Sequence, residues 1–82
     1  MESKETLKWL SERFGIPEDD IIWYNSGICY SRIQVKTEDS ALKVSKKVNA
    51  DTVNGGMLHG MPLGGISKHE HKTYGIIYDV IC

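Results

Sequence analysis

The chain has little that would tie it to a charged polymer, a membrane or an oxidising compartment. Ten basic against eleven acidic residues leave a net charge of −1. A protein held on nucleic acid through phosphates needs a basic face, so that class is disfavoured. No apolar run approaches the ~20 residues needed to cross a bilayer. The opening Met1-Glu2-Ser3-Lys4-Glu5 lacks the apolar core of a signal peptide. Cysteines number two, Cys29 and Cys82, far apart and without metal-type spacing. Free thiols in a cytoplasmic setting are the expectation.

Catalytic signatures are also missing. No phosphate loop ends in Gly-Lys-Ser/Thr, and no Gly-x-Ser-x-Gly elbow presents a nucleophile. Cys29 is expected to point inward on a strand, and Cys82, at the last position, to fray. Asp79 is the one acid embedded in an apolar run, and a solvent-facing strand position is expected for it rather than a general base. The balance leans away from an enzyme, and no cofactor is implied.

What the chain does have is a regular order of elements. Its 82 residues suit one small α+β domain spanning 1–82. Ser3 is a natural N-cap, Leu7, Leu10 and Phe14 form one helical stripe, and Gly15 followed by Pro17 ends it, which predicts a helix over 4–14. Ile21 to Tyr24 has strand composition, Asn25-Ser26-Gly27 reads as a hairpin turn, and residues 28–36 alternate. Cys29, Ser31, Ile33 and Val35 are placed against the helices, with Tyr30, Arg32 and Gln34 on the other face. Thr37 caps a second helix over 38–48, buried through Ala41, Val44 and Val48 and ended by Asn49. Two more strands, Ile66 to Glu70 and Tyr74 to Ile81, close the chain. The predicted fold is a two-layer sandwich in the order α-β-β-α, glycine-rich segment, β-β. Its sheet is mainly antiparallel, and both helices cover one face. The incompletely covered face invites a homodimer or another partner.

The glycine-rich segment draws most attention. Five of the eight glycines lie between Asp51 and Ser67, interleaved with Met57, Leu58, Met61 and Leu63. Glycine permits close backbone approach, and methionine suits adaptable contact surfaces. The leading expectation is therefore a small binding protein, of inhibitor or adaptor type, that contacts a protein partner through Met57, Leu58, His59, Met61 and Leu63. Small regulators encoded by phages and mobile elements have similar composition, by analogy alone. The alternative is capture of a nucleotide or other small ligand by Asn54, Gly55, Gly56, Gly64, Gly65 and Ser67, whose backbone N–H groups would cradle an anion. Hairpin turns are the plainer use of those dipeptides. His69 and His71 share a strand face two residues apart, as metal ligands can. However, Lys68 and Lys72 flank them and no third ligand lies in local spacing, so no metal site is assigned. Single-stranded nucleic acid on Tyr30, Arg32 and the lysines would need an aromatic, basic groove that is only weakly present.

Overall fold

The first helix begins where the sequence places its cap. In the computed structural model, which describes residues 3–27, 31–51, 57–58, 61–62 and 64–82, α1 spans Lys4–Phe14 and the Ser3 hydroxyl accepts from the Thr6 N–H. Gly15 ends it at φ 67°, its N–H donating to the Ser11 carbonyl, as a left-handed C-terminal cap requires. Leu10, Phe14 and the following Ile16 are buried. Trp9, off the stripe, stays half-exposed and meets the Tyr24 ring edge-on at 5.9 Å.

A single 3₁₀ turn at Glu18–Asp20 leads into β1, Ile21–Ser26. Asp20 does more than turn the chain. Its carboxylate accepts from the Thr37 hydroxyl at 3.0 Å and the Ser40 hydroxyl at 2.6 Å, while Thr37 accepts from the Ser40 N–H. Asp20 thus places negative charge at the N-terminus of α2, Glu38–Asp51, where the helix dipole favours it. The same contact satisfies the hydroxyl of Ser40, which is buried.

Antiparallel strands form one four-stranded sheet in the order β1-β2-β6-β5, with β2 at Ser31–Val35, β5 at Ile66–His71 and β6 at Gly75–Ile81. Both helices pack on one face, over Ile33, Val35 and Val80. Leu10, Phe14, Ile16, Ile21, Ala41, Val44 and Val48 complete the cluster. Each Val, Leu, Ile or Phe among them, fully buried, stabilises the fold by about 1.5–3 kcal/mol before entropy is counted. The register shifts between Ile21 and Trp23, so Ile22 is the extra residue of a bulge. That shift lets Ile21 and Tyr24 both turn toward the helices, while Trp23 sits opposite Gln34 on the other face.

Two boundaries differ from the sequence reading. Asn25 and Ser26 are strand residues opposite Arg32 and Ser31, so the first hairpin does not turn at them; residues 28–30 lie outside the described ones. Cross-strand pairing to β2 outweighs the turn preference of Asn and Ser. The second helix continues through Asn49 to Asp51. Met57–Leu58 (β3) pairs with Met61–Pro62 (β4). By composition Met57–Leu58 and Val53 each suit a short strand beside the Asn54-Gly55 turn signal; Val53 lies outside the described residues. Pro62 occupies a strand of that separate two-stranded sheet, and the missing N–H of proline is tolerated on such an edge.

Candidate functional site

The segment after α2 is anchored where it rejoins the sheet. Gly64 donates its N–H to the Ile81 carbonyl, and its own carbonyl accepts from the Ser45 hydroxyl at 2.6 Å. The Ile81 N–H in turn donates to the Gly65 carbonyl at 3.1 Å. Gly64 has φ +81°, and a Cβ there would meet Asn49 Oδ1 at 3.0 Å and Ser45 Oγ at 3.2 Å. Only glycine fits both the left-handed backbone and the close approach to α2. This anchor leaves the β3–β4 ladder between the end of α2 and the start of β5, hydrogen-bonded within itself and not to the main sheet.

The residues singled out in the sequence fall in three groups. Met57, Leu58 and Met61 are together on the β3–β4 ladder, Leu58 opposite Met61 and Met57 opposite Pro62. His59, Leu63, Asn54, Gly55 and Gly56 lie outside the described residues. Gly64, Gly65 and Ser67 belong to the join with the main sheet. The N–H of Gly64 is committed to Ile81, so it has no free hydrogen for an anion. Ser67 is exposed on β5 opposite Asp79.

His69 and His71 do share one strand. His71 Nδ1, however, accepts from the backbone N–H groups of Thr73 at 3.0 Å and Tyr74 at 3.4 Å. A neutral imidazole using the Nδ1 lone pair carries its proton on Nε2, which then has no lone pair for a metal. His71 therefore serves the β5–β6 turn, its ring 5.0 Å from that of Tyr74 and tilted 40° to it. No group of three metal-ligating side chains occurs among the described residues.

Two expectations are corrected. Asp79 is not solvent-facing: it is 3% exposed on the sheet face opposite the helices. Arg32 Nε donates to Oδ1 at 3.1 Å and Arg32 Nη2 to Oδ2, while Gln34 Nε2 donates to Oδ2 at 3.2 Å. A carboxylate so occupied has little capacity left to take a substrate proton. The Arg32 guanidinium also lies 5.9 Å from the Trp23 ring centre. Nor is Cys82 frayed. Its N–H donates to the Ser31 carbonyl at 2.8 Å and its side chain packs against the core. Burial pushes the thiol pKa up to about 11, the opposite of an activated nucleophile. Cys29, expected to face inward, lies outside the described residues.

A shallow cleft of about 360 Å³ near the β5–β6 turn sets Glu18 and Asp19 beside Lys36 and Tyr74, with Lys36 Nζ 4.6 Å from the Tyr74 ring centre. Its polar groups are of mixed sign and do not form a nucleophile–base pair. Among the described residues no helix is long and apolar enough to cross a membrane. No family model, no curated protein and no solved structure matches the chain.

Proposed function

We propose that the protein is a small non-enzymatic binding protein that engages a protein partner through the glycine- and methionine-rich segment 53–65. The observation that supports this reading is the pairing of Met57–Leu58 with Met61–Pro62 in a ladder separate from the four-stranded sheet. Two-residue strands outside a larger sheet add little stability of their own. An apolar hairpin of that kind makes more physical sense as a contact element than as scaffold. Methionine and leucine would supply adaptable apolar area there, and the glycines would let a partner approach the backbone. Capture of an anionic small ligand by the same segment is the weaker reading, because Gly64 spends its N–H on Ile81.

The test is affinity capture from the native host, comparing the natural chain with a Leu58→Asp/Met61→Asp variant. The expected result is a defined partner that co-purifies with the natural chain and is lost from the variant, with the far-UV circular dichroism unchanged. A variant that unfolds would show that these side chains are core and overturn the reading.

A further inference from the structure

Among the described residues strand β5 is an edge of the sheet with no second neighbour, and its sequence is self-complementary. All of its residues except His71 are exposed, and its register against β6 runs over six pairs without a shift. The opposite edge, β1, is interrupted by its bulge, a device that discourages edge-to-edge pairing. A straight, exposed edge has a row of backbone groups able to accept another strand. Charged residues usually blunt such an edge. Here Lys68 and Glu70 have opposite signs and stand two residues apart on the same face.

We infer that β5 pairs antiparallel with β5 of a second copy, with the twofold axis at His69, to make one continuous eight-stranded sheet. That register sets Lys68 opposite the second copy's Glu70 and Glu70 opposite its Lys68, so two cross-strand ion pairs form by symmetry. Sliding by two residues in one direction sets Lys68 against Lys68. Sliding the other way sets Glu70 against Glu70 and Lys68 against Lys72. Both slips place like charges face to face, which is destabilising, so the charge pattern selects a single register.

The helix side of the same margin is apolar. Ile76 is 54% exposed, Ile66 37% and Leu42 54%. Ile66 and Ile76 share the face of β5 and β6 that carries Lys68 and Tyr78, since Ile66 pairs with the core residue Val80 and Ile76 with Glu70. Leu42 lies three and seven residues before Ser45 and Asn49, which meet Gly64 at the start of β5, so it occupies the flank of α2 nearest that strand. A second copy seated on the edge brings its own Leu42, Ile66 and Ile76 to the same seam. This contact is independent of the hairpin proposed above.

Sedimentation equilibrium of the full chain over a concentration series tests it. The natural chain is expected to reach twice its 9.2 kDa mass. Lys68→Glu alone and Glu70→Lys alone should each weaken association by about tenfold or more, since each turns both pairs repulsive. The double exchange Lys68→Glu/Glu70→Lys should restore it, which a folding defect would not do. The Leu58→Asp/Met61→Asp variant should associate like the natural chain. A monomeric natural chain overturns the inference, as do single variants that associate normally, a double exchange that fails to recover, or loss of association on changing the hairpin.

Discussion

Arg32 reaches Asp79 diagonally across the sheet, two positions along β2 from Gln34, the residue directly opposite Asp79. The pair is asymmetric: the arginine side chain is 40% exposed, the aspartate 3%. Losing the arginine strands a buried carboxylate, whereas losing the aspartate leaves a cation able to turn toward water.

Arg32→Ala is accordingly expected to destabilise the fold by about 2–3 kcal/mol. Asp79→Asn keeps the shape and removes the buried charge, but its NH₂ group donates and so breaks one arm of the Arg32 fork; it should cost nearer ~1 kcal/mol. Urea unfolding midpoints of the two variants and their combination measure the coupling. Equal losses, or strict additivity in the double variant, would show that the pair does not act as a unit.

Gly64 and Gly15 both have positive φ, but their surroundings differ. A Cβ at Gly15 meets nothing within 4 Å, while one at Gly64 meets Asn49 and Ser45. Gly15→Ala should therefore cost only the backbone strain, about 1 kcal/mol. Gly64→Ala adds a steric clash and should cost about 2–3 kcal/mol. Thermal unfolding of both variants checks the order, and a milder Gly64→Ala would mean that α2 yields at that contact.

Cys82 predicts an alkaline limit to stability. Burial raises its thiol pKa from 9.0 to about 11, with Arg13 lowering it and Asp79 raising it by smaller amounts. A raised acid pKa means that the folded chain holds the proton more tightly than the unfolded one. The contribution is fully present below about pH 9 and is lost as pH rises toward 11. Alkylation by iodoacetamide, followed peptide by peptide, should be slow at Cys82 until that range is reached. Rapid labelling at neutral pH would contradict it.

Much of the frame was legible because its signals are short. Ser3, Gly15 and Thr37 act within a turn of their own positions, and the alternation around Ile33 and Val35 depends on neighbours two residues away. The first hairpin was misplaced for the complementary reason: Asn25 and Ser26 have turn chemistry, but their pairing with Arg32 and Ser31 prevails. Asn49 has the residue type of a terminator, yet the helix runs two residues past it to Asp51. In the candidate site, the richness of residues 53–65 in glycine and methionine and a short strand at Met57–Leu58 were legible in the sequence, whereas its partner strand Met61–Pro62 was not.

By itself the sequence determined two helices, their N-terminal caps and the Gly15 stop, four main strands and the faces those strands present, since periodicity and capping are local properties of the chain. Tertiary structure decided the strand order β1-β2-β6-β5 and everything that follows from it. Arg32 and Asp79 are 47 residues apart, and only the adjacency of β2 and β6 makes them partners. The same order leaves β5 at a margin of the sheet, paired on one side with β6, a property no single strand carries in its own residues.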